Sequence, residues 1–153
     1  MRLYIDSSVL VKLFKMEVGS DKAIEVVATL DKEKSWVGFT SSWSTLEIAR
    51  ALKKDGKPKE LILLNLRELK RHKISFVEVS DNLLKDAEDI IATHDLYASD
   101  ALHVATFKTL ETQGKVDDFL CDDAHFQRLK NLLKTVTLDQ VRIGEADKEE
   151  RKG

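Results

Sequence analysis

Apolar residues recur along this chain with two periods, and their alternation predicts the order of its elements. Arg2–Ile5 is a short β-prone run that stops at Asp6. Behind it Val9, Leu10, Leu13 and Phe14 fall at helical spacing, with Ser7 and Ser8 available as caps. Gly19 and Ser20 break that helix, and Ala23, Val26, Val27 and Leu30 mark one face of a second, from Asp21 to Leu30. Trp36–Phe39 predicts a second strand, set between the charged DKEK stretch and a Thr/Ser run. Ser44–Lys54 predicts a helix closed by Gly56. Pro58 suits the first turn of the next, which carries Leu61, Ile62, Leu64, Leu66 and Leu69 to His72. Ile74–Val79 is a third strand, and Ser80 caps a helix to Thr93 with Leu83, Leu84, Ala87, Ile90 and Ile91 inward. A helix over Ser99–Thr112 stops at Gly114. Val116–Cys121 is a fourth strand, Asp123–Leu133 a short helix, and Lys134–Leu138 a weak last strand.

Strands separated by helices in this way predict an α/β domain with a mostly parallel sheet. The expected extent is one domain over residues 1–144. The last nine residues, EADKEERKG (145–153), lack apolar anchors and read as a disordered charged tail.

Composition narrows the function classes. The chain has 153 residues, 27 acids against 25 bases, a formal net charge of −2 and 42% hydrophobic residues. That excludes an intrinsically disordered chain and one that coats nucleic acid through bulk positive charge. The single cysteine, Cys121, excludes an intrachain disulfide framework. No apolar run approaches the roughly 18 residues of a membrane span, and the first residues lack the features of a secretory leader. The expected location is the cytoplasm, away from membrane.

The informative acids stand where a parallel sheet receives ligands, outside the carboxyl ends of its strands. Asp6 follows the first strand, and Asp122 and Asp123 follow the fourth. Glu47 lies in the first turn of the helix after the second strand, and Asp100 in the first turn of the helix before the fourth. Taken singly, each has an ordinary explanation. Asp6 reads equally as a helix cap, and Ser44-Thr45-Leu46-Glu47 fits the S-x-x-E capping box. Asp100 suits a helix dipole, and Asp122 or Asp123 suits a cap. Brought together, four carboxylates would repel one another unless a hard divalent cation such as Mg²⁺ or Mn²⁺ compensated them. Such a site can activate water against a phosphodiester.

The segments around these acids resemble a known family. LYIDSSVLVKLF, TSSWSTLEIARAL, LYASDALHVATF and FLCDDAHF are similar, in order and spacing, to the motifs of PIN-domain ribonucleases, and most closely to the toxin subunit of VapBC-type toxin–antitoxin pairs. The likeness spans Leu3 to Phe126. It implies a PIN-like three-layer α/β sandwich, with a twisted sheet of 4–5 strands flanked by about seven helices. It further implies an Mg²⁺- or Mn²⁺-dependent endoribonuclease, a hydrolase of RNA phosphodiester bonds. In that family Asp6, Glu47, Asp100 and Asp123 correspond to the acidic metal-binding and catalytic residues, with Asp123 preferred to Asp122 because it lies three residues before Phe126. Asp122, Ser7 and Arg50 are auxiliary candidates. A small antitoxin and a homodimer are the implied partners. One departure is Cys121, which stands where the family has a Thr or Ser hydroxyl.

Other features have plainer explanations. His103 and His125 are expected to serve packing or the surface rather than a metal. Arg67–Lys73, RELKRHK, is expected to be a solvated helix face. Arg50, three residues after Glu47, either neutralises it or reaches RNA. Trp36, Trp43 and Phe76 are expected in a core or a dimer interface. Beside the toxin, the chain fits a processing nuclease without an antitoxin, or an inactive PIN module that binds RNA or protein. A haloacid-dehalogenase-like phosphohydrolase fails, because Ser8 stands where its second aspartate would be.

Overall fold

In the computed structural model, which describes residues 1–144, the first strand of the chain is the centre of the sheet. β1 (Arg2–Ile5) lies between β2 (Val37–Ser41) and β4 (Asp118–Cys121), with β3 (Ile74–Val77) outside β2 and β5 (Thr135–Thr137) outside β4. All pairings are parallel. The chain starts in the middle, builds outward through β2 and β3, returns to the other side of β1 and builds outward again. The charged tail expected over residues 145–153 lies outside the described residues.

Seven helices cover the sheet: α1 (Ser7–Leu10), α2 (Ser20–Lys32), α3 (Ser44–Lys54), α4 (Lys59–Leu69), α5 (Asp81–Thr93), α6 (Ala98–Thr112) and α7 (Asp123–Leu129). α1 runs directly into a 3₁₀ turn at Val11–Leu13. The alternation of β1 separates two packed layers. Leu3 and Ile5 join Val9 and Leu10 of α1, Val26 and Leu30 of α2, and Ile48 and Leu52 of α3 in one core. Tyr4 points to the other face, among Val104, Phe107 and Leu110 of α6 and Phe119 and Cys121 of β4. Tyr4 stacks on Phe119 at 5.0 Å between ring centroids. Outside this layer, Leu83 and Ala87 of α5 pack on Ala101, Leu102 and Ala105 of α6. The result is a three-layer α/β sandwich with a parallel sheet of five strands, as expected.

Close approach is visible at Gly38 in β2, where a Cβ would stand 2.9 Å from Leu30 Cδ1 of α2. β3 ends two residues earlier than expected because its partner runs out: the last β2–β3 pair is Ser41 with Val77, after which Ser42 N–H donates to the Val77 carbonyl. α7 likewise ends at Leu129, since Leu132 and Leu133 both donate back to its carbonyl as the chain turns into β5. Among the described residues no helix is long and apolar enough to cross a membrane.

Candidate active site

The strand order places a topological switch point between β1 and β4, where successive connections leave in opposite directions. Asp6 sits on that seam. Its backbone N–H donates to the Leu120 carbonyl of β4 at 2.9 Å, and its Oδ2 accepts from Ser8 N–H at 3.1 Å. Asp6 is therefore itself the cap of α1, one of the readings its position allowed, and neither Ser7 nor Ser8 takes that task. Ser7 is the buried first residue of the helix, and Ser8 Oγ accepts from Asp122 N–H at 3.1 Å, tying α1 to the end of β4. Capping and a place at the switch point belong to one carboxylate, which is only 1% exposed.

Glu47 reaches the same rim through β2. The buried Thr40 hydroxyl donates to the Ile5 carbonyl at 2.7 Å and lies 2.8 Å from Ser44 Oγ, fastening the start of α3 to the end of β1. The expected capping box does not form. Trp43 occupies the cap position without a side-chain bond, Ser44 is committed to Thr40, and Glu47 turns away from its own helix end towards His103.

α6 supplies Asp100, 4% exposed, and His103, 1% exposed. His103 is where the site converges. Its Nε2 lies 2.5 Å from Glu47 Oε1 and 3.8 Å from Asp6 Oδ1, while its Nδ1 lies 2.7 Å from the Tyr4 hydroxyl. The expectation of a packed histidine holds for its burial and misses its partners. His125 also enters: its Nε2 is 3.7 Å from Asp6 Oδ2 and 3.6 Å from Asp100 Oδ1, and its Nδ1 is 2.7 Å from Asp122 Oδ1. Asp122 caps α7, accepting from His125 N–H at 2.9 Å. Asp123 is the first residue of that helix, and its side chain lies outside the described part of the structure. Arg128 Nε donates to Asp100 Oδ2 at 3.2 Å.

The acids are thus matched by two imidazoles and a guanidinium. Burial pulls the His103 imidazole down, but its bond to Glu47 and the charges of Asp6, Glu47 and Asp100 push it above its ordinary value. Burial acts likewise on His125 and is outweighed by Asp122, Asp6 and Asp100. Burial raises the Asp122 carboxyl, yet the ring and backbone donors of His125 bring it below the usual range. Burial, aided by the charge of Asp6, lifts the Tyr4 phenol well above its usual value, so it stays protonated.

Of the two alternatives open to Arg50, the structure removes neutralisation of Glu47. Arg50 makes no ion pair with Glu47; His103 has that carboxylate instead. Lys12 turns to Glu17 at 3.0 Å. The expected solvated face holds for Arg71, which pairs with Glu68, whereas His72 bonds Asp31 at 2.7 Å. His103 was findable from its place one turn after Asp100 on the same helix. His125 bonds Asp122 at the start of its own helix, but nothing local marks its approach to Asp6 and Asp100 or that of Arg128 to Asp100.

The donor set suits a hard divalent cation. Asp6 and Asp100 present buried carboxylate oxygens, both within 3.7 Å of a single nitrogen of His125, and oxygen donors are what such a cation prefers. Among the described residues no group of three or more His, Cys, Asp or Glu side chains forms a finished metal cage. His125 and Arg128 hold the carboxylate oxygens in its place, and both stand on α7, at the edge of the cluster.

Comparisons with known proteins agree with this architecture. The family model for the PIN domain matches residues 3–132. No curated protein matches the chain significantly. Among solved structures, the VapC20 toxin of Mycobacterium tuberculosis, described as cleaving the sarcin–ricin loop, is 16% identical with a TM-score of 0.65, over 82% of this chain and 92% of its own. VapBC2 of Rickettsia felis, bound to a DNA fragment from its promoter, is 14% identical with a TM-score of 0.64, over 90% and 98%. A toxin–antitoxin complex from Klebsiella pneumoniae is 14% identical with a TM-score of 0.59, over 91% and 99%. At these identities the likeness is one of fold.

Proposed function

The chain belongs to the PIN-domain family, and on that premise we propose that it is a divalent-metal-dependent endoribonuclease, the toxin of a toxin–antitoxin pair, acting in the cytoplasm as one PIN domain over residues 1–144. The observation that carries this reading is the pair of buried carboxylates, Asp6 and Asp100, both within 3.7 Å of His125 Nε2 at the switch point of the sheet. Asp6, Asp100, Asp123 and Glu47 would hold Mg²⁺ or Mn²⁺, with Asp122 as an auxiliary contact. When bound, the ion supplies Lewis-acid polarisation of the scissile phosphate and lowers the pKa of water.

The residues of the chain do the rest. Asp6 is held rigid by its own capping bond and by the β1–β4 seam, so its pocket-facing oxygen needs no reorganisation. Glu47 Oε1 is engaged by His103, which leaves Oε2 to take a proton from the attacking water. The low exposure of Asp6, Asp100 and His103 excludes bulk water from the inner wall and strengthens each charge interaction there.

Partners follow the same reading. The Klebsiella and Rickettsia relatives are toxin–antitoxin proteins, which favours a small antitoxin for this chain. Exposed Leu61 and Leu64, one turn apart on α4, favour association through that helix, in keeping with a homodimer.

The test is cleavage of RNA with Mg²⁺, Mn²⁺ or EDTA. Wild type is expected to cut only with the ion, and Asp6→Asn and Asp100→Asn to lose about 100-fold or more. Cleavage that survives EDTA, or that both variants retain, overturns the reading. Growth arrest on expression, relieved by Asp6→Asn, separates a toxin from a processing nuclease.

A further inference from the structure

Beside Glu47 the surface opens into a groove of about 380 Å³, lined by Trp43, Leu46, Glu47, Arg50, Lys54 and Ser99. That volume is in the range of about 300–1,000 Å³ typical of ligand sites. The groove is continuous with the acidic cluster, since Glu47 belongs to both and Ser99 precedes Asp100. Trp43 is 37% exposed and Leu46 58% exposed, so Trp43 lies outside the core, one of the two places expected for it; Trp36 and Phe76 do pack against the core. Arg50 and Lys54 are exposed, one turn apart on α3, and have no ion-pair partner among the described residues.

These features answer a difficulty in the proposed function. An acidic site on a chain of net charge −2 repels a polyanion, so affinity must come from cations outside the cluster. Arg128 is held on Asp100 and Lys12 on Glu17. Arg50 and Lys54 remain uncommitted, beside Glu47, whose side chain is more exposed than those of Asp6 and Asp100. An aromatic face between two cations and a reactive centre suits unstacked bases joined by phosphates.

We propose that this groove is a subsite for single-stranded RNA, in which Trp43 stacks a base next to the scissile bond while Arg50 and Lys54 hold flanking phosphates. It rests on the ribonuclease reading above. A duplex would keep its bases stacked inside and could not use Trp43 in this way. The paired cations favour a polyanion over an apolar helix of a partner protein.

The test uses the full chain carrying Asp6→Asn, which binds without cutting, and Trp36→Phe, which leaves Trp43 the sole fluorophore of the two tryptophans. The probe is a single-stranded RNA oligonucleotide of about eight residues, within the usual footprint of single-strand sites. Trp43 emission is expected to be quenched on titration. Trp43→Ala is expected to weaken binding about 10-fold, with Trp43→Phe recovering part of it. Arg50→Ala with Lys54→Ala should lower the slope of log affinity against log salt by about 1.4, near 0.7 for each phosphate contact. Emission that RNA leaves unchanged, or variants with wild-type affinity and salt slope, overturns the subsite, and if wild type still cuts RNA with Mn²⁺ the ribonuclease reading survives. Quenching without cleavage by wild type supports the groove and overturns that reading. If Trp43→Ala changes only the sedimentation of the protein, the groove is a protein contact and the proposal fails.

Discussion

Glu47 takes its direction from a histidine rather than from its own helix. A carboxylate only accepts, so His103 Nε2 carries the proton in that bond, and in the neutral ring Nδ1 accepts from the Tyr4 hydroxyl. The phenol, kept protonated by burial and by Asp6, is suited to donate. Tyr4, His103 and Glu47 form a fixed line from the core to the rim. Removing the middle member frees Glu47 and takes from the buried Tyr4 hydroxyl its histidine partner. His103→Ala is expected to reduce RNA cleavage by about 10–100-fold, the effect of losing an outer-shell partner. Tyr4→Phe keeps the stacking on Phe119 and should cost about 1 kcal/mol of stability with a smaller loss of rate. Initial rates and thermal melts of both variants decide it: a His103→Ala protein that melts earlier but cuts at full rate shows a packing role alone. None of this was legible locally, because Glu47 and His103 are 56 residues apart and the S-x-x-E pattern points to a cap that tertiary partners override.

At the scale of elements, hydrophobic periodicity foretold most of the fold, since each helix buries a stripe and each strand alternates. The five strands and the helices between them arise where that pattern places them, including the short β5. Boundaries moved where a neighbour stops pairing, as at Val77, which no single segment encodes. The attachment of α3 to the sheet was also hidden, because Thr40 in TSSWS looks like one of several interchangeable hydroxyls. Thr40 is fully buried and its hydroxyl joins the Ile5 carbonyl to Ser44. Thr40→Val preserves the shape and leaves those partners without it, a cost of about 1–3 kcal/mol. Ile5 precedes Asp6 and Ser44 starts the helix that carries Glu47, so the loss should reach activity too. A lower Tm together with slower cleavage is expected, and Ser44→Ala should be milder. Unchanged melting would show that α3 is held by its apolar face through Ile48 and Leu52.

Across the whole molecule, topology collects acids that composition had dispersed. The near-balance of 27 acids and 25 bases conceals an acidic pocket in a slightly more basic shell, because Asp6, Glu47 and Asp100 meet at the rim. Without an ion the pocket is not bare: His103, His125 and Arg128 stand against these carboxylates. A bound cation must therefore compete with these protein donors, and it stabilises the fold only by the surplus. Ligand linkage still gives that surplus a measurable form, about 2.7 kcal/mol at a hundredfold excess over Kd. For a chain of this length that is a rise in Tm of roughly 5–10 °C. Mn²⁺ added to metal-free wild type is expected to produce such a rise in calorimetry, and Asp100→Asn to remove it. Arg128→Ala should act in the opposite sense, since it releases Asp100 from its standing partner and lets the ion bind at lower concentration. An equal Mn²⁺ response in wild type and Asp100→Asn would place any cation away from this pocket. The inner carboxylates would then owe their burial to the two imidazoles and Arg128.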